Sequence, residues 1–199
     1  MPKEIKKPTK ADKAAKTTAS SKTNTPKPDK KVTPEKAAPT KAAFKLDATA
    51  QRIIDTFAEI SAIPRESGNE EQIRQYLINW ARSNKFLYIT DKAGNLIIKI
   101  AASKGMEKHA PIVLQGHLDM VCEKTPDSNH DFSKDAIRFV YDGDWLKADK
   151  TTLGADNGIA IAIAMCLVAD SKVKHGPLEL LFTVEEETGL TGARGLETG

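Results

Sequence analysis

The stretch PLELLFTVEEETG, residues 177–189, joins a strand pattern to three consecutive acids. Residues 178–184 are almost all apolar or β-forming, which predicts a central strand buried on both faces of a sheet. The Gly176–Pro177 break precedes this strand, and the glutamates 185–187 follow it directly. We therefore expect a buried strand that carries charge at its carboxyl end.

Two further apolar segments lie upstream of this strand. Residues 112–115 predict a second central strand, which is followed by Gly116, His117 and Asp119. Residues 157–169 are nearly all apolar and predict a helix that is buried on most sides. Because strands alternate with helices, the pattern indicates an α/β domain in which helices sandwich a mixed sheet.

The first part of the domain has clear local signals. Apolar residues at helical spacing predict a helix from about Asp47 to Ala62, which stops before Pro64. Residues 67–70 fit a capping box that opens a second amphipathic helix. The β-rich segments 86–90 and 96–100 flank a glycine-containing turn and predict a hairpin. Residues 139–141 and 145–147 predict another hairpin.

The first 43 residues differ in composition from the rest of the chain. They contain twelve Lys and four acidic residues, no aromatic residue, and repeated Pro, Ala and Thr, so their net charge is +8 and that of residues 44–199 is −5. A segment with few apolar residues and many like charges is typical of a disordered tail. Its lysines could contact anionic polymers, but without aromatic residues we expect no specific recognition of nucleic acid.

The remaining residues, 44–199, are enough for one ordinary domain. No apolar run reaches the length of a membrane span, so no membrane partner is expected. The two cysteines, Cys122 and Cys166, lack CxxC spacing and are interpreted as reduced, packed thiols of a cytoplasmic protein.

Three clusters of polar residues lie at the ends of the predicted buried elements. His117 and Asp119 follow one strand, Asp156 precedes the buried helix, and Glu186 and Glu187 follow the last strand. The carboxyl ends of strands in an α/β sheet converge on one crevice, so the clusters are expected to meet. Several carboxylates and one imidazole in one place suit zinc or a similar divalent ion.

These residues fit distinct roles in such a site. Asp156, at a glycine-rich turn, could bridge two ions, and Asp119 could accept the second ring N–H of His117. Of the adjacent pair, one glutamate could bind metal while the other acts as general base on the attacking water. Taken singly, each residue also fits a structural interpretation, such as a helix N-cap for Asp156.

Four stretches of the sequence resemble a known family. GHLDMVCEK (116–124), TTLGADNGIAIA (151–162), HGPLELLFTVEEETGLTGA (175–193) and IPRESGNEEQI (63–73) are similar to the aminoacylhistidine dipeptidases. This family is the peptidase D branch of the co-catalytic zinc exopeptidases. The similarity runs from about residue 46 to the end and covers only the N-terminal part of the family's catalytic domain.

The resemblance implies a role for each candidate residue. His117 would ligate one zinc ion, Asp156 would bridge two, and Glu187 would ligate the second. Asp119 would orient His117, and Glu186 would be the general base. The resemblance also implies two zinc ions per complete site, replaceable by Co or Mn, a dipeptide substrate, and a homodimer for the full-length family member.

The sequence departs from the family in length. Family members carry another aspartate ligand, an inserted domain and a distant histidine ligand, all beyond the position of Gly199. Each zinc would then keep two protein ligands here, whereas catalytic zinc usually has three. We therefore expect a fragment that binds metal weakly and has little or no peptidase activity.

Two other functions remain open from the sequence. An amide deacylase or desuccinylase of the same superfamily would use the same site chemistry on a different substrate. A non-catalytic fragment whose basic tail contacts nucleic acid is the second alternative.

Overall fold

The computed structural model describes residues 45–196, and the predicted basic tail, residues 1–43, lies outside them. Within this range the elements are, in chain order, α1 (Ala48–Ser61), α2 (Glu71–Ser83), β1 (Leu87–Thr90), β2 (Leu96–Ile100), β3 (Ile112–His117), β4 (Phe139–Asp142), β5 (Trp145–Ala148), α3 (Ala155–Ala169), β6 (Leu178–Thr183) and α4 (Thr191–Arg194).

Four of the strands form one mixed sheet in the order β1-β2-β6-β3. The pairs β1–β2 and β2–β6 are antiparallel, whereas the pair β6–β3 is parallel. Three cross-strand pairs place buried apolar side chains on one face: Leu96–Phe182, Ile98–Leu180 and Ile100–Leu178. The predicted α/β class, with a mixed sheet packed against helices, is confirmed.

The helix α1 is fixed at its start by a side chain. The carboxylate of Asp47 accepts hydrogen bonds from the N–H groups of Thr49 and Ala50, both at 2.8 Å, which satisfies amides that have no partner in the helix. The apolar face of α1 buries Phe57 and Ile60 and packs against α3. The predicted helix from Asp47 to Ala62 is therefore confirmed to within one residue at each end.

The helix α3 begins two residues before its predicted start. Asp156 and Asn157 have non-helical dihedral angles within it, and the peptide bond that joins them is cis. The helix packs between α1 and β3, so most of its apolar residues are at least partly covered. Ile163 is exposed.

Two predictions about position and capping are wrong. The strand β3 was expected to be central, but within residues 45–196 it is an edge strand, and its first residues, Ile112 and Val113, are each more than half exposed. The two interior strands are β2 and β6, because each of them pairs with a neighbour on both sides. The expected capping box also fails, since the N-cap of α2 is Glu70 and makes no capping hydrogen bond.

The second predicted hairpin is confirmed as a separate two-stranded sheet of β4 and β5. None of the helices between residues 45 and 196 has the length and apolar character that crossing a membrane requires.

Candidate metal centre

The parallel pairing of β3 and β6 brings two of the polar clusters to one edge of the sheet. His117, the last residue of β3, lies opposite Thr183, the last residue of β6. The first turn of α3 supplies Asp156, the third cluster. Consequently one ligand atom from each of His117, Asp156 and Glu187 lies within 4.8 Å of the other two.

The imidazole of His117 is buried and has an oxygen neighbour at each nitrogen. Its Nδ1 donates to Asp119, 3.2 Å from Oδ1, and its Nε2 lies 3.0 Å from Asp156 Oδ1. Burial lowers the pKa of His117, but the hydrogen bonds to Asp119 and Asp156 outweigh it and raise the pKa to about 9. Nε2 therefore faces the carboxylate of Asp156, and a metal ion bound between them would take the place of the proton on Nε2.

Asp119 is fully buried and joins two of the clusters. One carboxylate oxygen accepts from the N–H of Glu186 and the other from the N–H of Glu187, both at 3.1 Å. The hydroxyl of Ser67 donates to the same carboxylate at 2.7 Å. Burial raises the pKa of Asp119, but these bonds and the one from His117 hold it well below its usual range. Asp119 thus fixes both the imidazole and the turn that carries the glutamates.

Two further buried side chains hold the turn after β6. Glu70 Oε1 accepts from the N–H of Gly68 at 3.0 Å and from that of Glu185 at 2.9 Å. Asn95 Oδ1 accepts from the N–H of Val184 at 3.1 Å, and its amide donates to the carbonyl of Gly192 at 2.8 Å. Main-chain groups that have left the strand ladder are satisfied in this way.

Sequence reasoning missed these supporting residues. Ser67 and Glu70 were assigned to a capping box, although both lie in the stretch IPRESGNEEQI that was noted for its resemblance. Arg65, from the same stretch, is 1% exposed and donates to carbonyls on both sides of the site. The sequence feature that could have identified these residues is the clustering of polar residues in a short loop between two amphipathic helices.

The remaining acids are crowded and open to solvent. The side chain of Asp156 is 81% exposed, and Glu186 Oε2 lies 3.8 Å from His117 Nε2. Partial desolvation raises the pKa of Glu187, and the neighbouring carboxylates of Asp156 and Glu186 raise it further. Crowded carboxylates of this kind are stabilised when a cation binds between them.

A cavity of about 310 Å³ opens beside these residues. His117, Asp156 and Glu186 lie among its polar residues, and Leu181 and Leu190 lie among its apolar ones. A cavity in which polar groups converge beside apolar side chains offers a small ligand both hydrogen bonds and apolar contact.

Comparison with known proteins gives the family context of this geometry. No family model matches the chain. The chain is 50% identical over 147 residues to the cytosol non-specific dipeptidase of Escherichia coli, an alignment that covers 74% of the chain and 30% of that protein. The solved aminoacylhistidine dipeptidase of Vibrio alginolyticus matches with a TM-score of 0.73 and 45% identity, over 74% of the chain and 30% of that structure. The resemblance to the aminoacylhistidine dipeptidases is confirmed.

A more distant match extends the comparison. A solved tripeptidase of Staphylococcus aureus has a TM-score of 0.61 and 26% identity, and the match covers 74% of the chain and 39% of the tripeptidase. The chain thus spans well under half the length of each of these relatives, and their activities are those of the longer proteins. It shares sequence and fold with the part of these dipeptidases and peptidases that it spans.

Proposed function

We propose that the domain carries the first part of the active site of a metal-dependent dipeptidase. The observation that carries this proposal is the convergence of His117, Asp156 and Glu187, whose ligand atoms lie within 4.8 Å of one another although they belong to three distant segments. The similarity to an Escherichia coli dipeptidase and a Vibrio alginolyticus aminoacylhistidine dipeptidase supports the reaction class.

The donor set fits zinc. One imidazole and two carboxylates form a common ligand combination of catalytic zinc, and Co or Mn can replace zinc at such a site. The Nδ1–H of His117 is held by Asp119, which leaves Nε2 facing Asp156, and Glu187 belongs to the same cluster. When bound, the metal polarises the scissile carbonyl and makes the attacking water more acidic.

In its more detailed form, the proposal is a site that holds two metal ions. Asp156 has two carboxylate oxygens, so it can hold one ion with His117 and another with Glu187. Within the part of the chain that the structure describes, this division leaves each ion two protein ligands, fewer than the three usual in catalytic zinc sites. We therefore expect the 199-residue chain by itself to bind metal weakly and to turn over slowly.

Glu186 is the proposed general base. Its carboxylate lines the cavity beside His117 without belonging to the three-ligand cluster. In the proposed reaction water adds to the peptide carbonyl carbon, and Glu186 accepts the proton that the water loses. Glu186 then donates that proton to the leaving nitrogen as the carbon–nitrogen bond breaks. Asp119 acts as a positioning residue, because it holds both His117 and the main chain of Glu186.

The proposed substrate is a dipeptide, of the aminoacylhistidine type by family resemblance. The cavity of about 310 Å³ beside Glu186 is large enough for a small side chain, and its apolar residues would contact one. For the complete protein we also propose a cytoplasmic location, in line with the cytosol dipeptidase it resembles, and the homodimer that the resemblance implies. That the basic tail makes only non-specific contact with anionic polymers, without specific recognition of nucleic acid, stays a prediction from the sequence, which a salt-dependent binding assay would test.

Zinc affinity of the 199-residue chain tests the proposed site. We expect wild type to bind zinc with low affinity, His117→Ala to show no measurable binding, and Glu186→Gln to bind about as wild type does. His109→Ala is the matched control, because His109 is exposed and lies outside the site. Equal zinc binding by wild type and His117→Ala would refute the assignment of ligands.

Hydrolysis assays separate the chemistry from the binding. Whatever dipeptide hydrolysis wild type shows, Glu186→Gln should reduce it by about 10²–10⁴-fold, the usual contribution of a general base. Cleavage of N-acyl or N-succinyl amino acids in preference to dipeptides would instead favour the deacylase alternative. Turnover by wild type as fast as ordinary dipeptidases, at about 1–10³ s⁻¹, would contradict the expected weak activity.

A further inference from the structure

Arg65 lies in the loop after α1 and connects two of the segments that form the site. Its Nη1 donates to the carbonyl oxygens of Leu118 at 3.1 Å and Asp119 at 2.9 Å, and its Nη2 donates to the carbonyl of Gly154. Its own carbonyl accepts from the N–H of Met120 at 3.1 Å. One residue thus holds the chain after His117 and the turn before Asp156.

Two glycines make the space that the guanidinium occupies. A Cβ atom at Gly154 would lie 2.5 Å from Arg65 Nη2, and one at Gly158 would lie 2.7 Å from the same atom. Gly154 also has a φ of +68°, which other residues adopt only with strain. The start of α3 is therefore shaped to receive this side chain.

The charge of Arg65 is costly to bury and is not neutralised by a bonded carboxylate. Its three described acceptors are main-chain carbonyls, and its buried Nε has no hydrogen-bond partner among the described residues. Burial lowers the pKa of Arg65 to about 10, although attraction to Asp119, Glu187 and Asp156 opposes that change. A buried cation is weak evidence for a role in stability, because apolar residues of similar volume often stabilise as well or better.

We infer that Arg65 is a positioning residue that sets the spacing between His117 and Asp156, and thereby the affinity of the site for a divalent metal. This inference rests on the proposed function. The Nη1 contacts fix the carbonyls that follow His117, and the Nη2 contact fixes the carbonyl two residues before Asp156. The same two segments are also joined farther from the ligands, where the N–H of Thr152 donates to the carbonyl of Glu123 at 2.8 Å. Arg65 therefore supplies the main-chain link that lies next to the imidazole and the carboxylate.

Lysine cannot replace this arrangement. Its three donors sit on a single nitrogen, whereas the planar guanidinium places separate nitrogens against the two segments. Arg65→Lys therefore keeps the positive charge and most of the volume but loses one side of the link. We expect zinc and Co²⁺ affinities to fall by about 10–100-fold, as when residues that support a metal ligand are replaced.

The test compares the full 199-residue wild type with Arg65→Lys and with Arg74→Lys. Arg74 is the matched control, because it also donates to a main-chain carbonyl, that of Gly94 at 2.9 Å, but in the loop between β1 and β2. Three quantities are measured: Co²⁺ affinity by competition with a chelator, the visible spectrum of bound Co²⁺, and the imidazole NMR shifts of the metal-free protein. Circular dichroism verifies folding.

We expect Arg65→Lys to weaken Co²⁺ binding, change the Co²⁺ spectrum and shift the His117 imidazole signals, while Arg74→Lys matches wild type. An Arg65→Lys protein with wild-type affinity, spectrum and imidazole shifts overturns the inference and leaves the proposed function intact. If wild type binds no Co²⁺, the proposed function fails, and the metal-free imidazole shifts still decide whether Arg65 positions His117.

A second variant covers the case in which Arg65→Lys does not fold. Gly158→Ala retains Arg65 but places a methyl carbon 2.7 Å from Nη2 and 2.8 Å from the ring of Phe57, closer than either contact allows. It should displace the guanidinium and weaken Co²⁺ binding in the same direction, although alanine is the better helix former. Unchanged Co²⁺ affinity and imidazole shifts in this variant would contradict the role of Arg65.

Discussion

The interior beneath β2 and β6 and the edge at the carboxyl ends of β3 and β6 are both buried, but different interactions stabilise them. The interior consists of apolar side chains in register across the sheet, such as Ile98 opposite Leu180. The edge contains buried polar and charged side chains, including Arg65, Glu70 and Asp119, that bond to the main chain of loops. The interior therefore determines whether the domain folds, and the edge determines how accurately the candidate ligands are placed.

The difference has a simple cause. Main-chain groups in β2 and β6 bond to neighbouring strands, so apolar side chains suffice there. Beyond Thr183 the chain leaves the ladder, and its buried amides need acceptors from Glu70, Asn95 and Asp119. Substitutions in the two regions should accordingly separate stability from metal binding.

The largest effect on stability is expected in the interior. Leu180 is fully buried in β6, and it is not one of the candidate ligands. Leu180→Ala should lower the free energy of unfolding by about 2–5 kcal/mol, because it removes apolar contacts and leaves a cavity. Urea denaturation measures this loss, and zinc affinity of the folded variant should stay unchanged. Leu87→Ala is the control, since Leu87 is 74% exposed; an equal loss in both variants would contradict the assignment of the core.

An intermediate effect, on both stability and metal binding, is expected at the edge. Asn95→Ala leaves the N–H of Val184 without its acceptor and should cost about 1–3 kcal/mol of unfolding free energy. It should also weaken zinc binding, because the turn carrying Glu187 loses a support. Asn79→Ala on the exposed face of α2 is the control for both measurements. A loss of stability with fully retained zinc affinity would show that Asn95 does not position the turn.

The smallest effect is expected far from both regions, at the start of α1. Asp47→Ala removes two hydrogen bonds to the first turn and should lower the free energy of unfolding by about 1 kcal/mol. Zinc affinity should not change. Asp55→Ala is the control, because Asp55 is also exposed but bonds to the side chain of Gln51 and not to the helix terminus. A larger loss at Asp55 than at Asp47 would contradict the capping role.

Local patterns were enough to predict most elements of the fold. Periodic apolar residues identified α1, the β-rich composition of residues 96–100 identified β2, and the apolar run after Pro177 identified β6. The candidate ligands were predicted from residue type and from their position at the ends of buried elements. Both kinds of prediction depend on short stretches of sequence, in which the cause of the structure is local.

Features that depend on distant partners could not be predicted in this way. The pattern of Ser67 and Glu70 fits a capping box as well as it fits the tertiary bonds that these residues make to Asp119 and Glu185. The apolar composition of β3 predicts burial but does not identify its neighbours. Arg65 belongs to a residue type that is almost never fully buried, so its position depends on carbonyls and glycines more than 50 residues away.

The central claim is that His117, Asp156 and Glu187 share a divalent cation. Anomalous diffraction at the zinc edge, from crystals of the 199-residue chain grown with zinc, tests it most directly. The account predicts a peak about 2.0–2.2 Å from Nε2 of His117 and from a carboxylate oxygen of Asp156, with Glu187 completing that ion or a second one beside it. A peak elsewhere on the molecule, with Nε2 of His117 still bonded to Asp156, would contradict it.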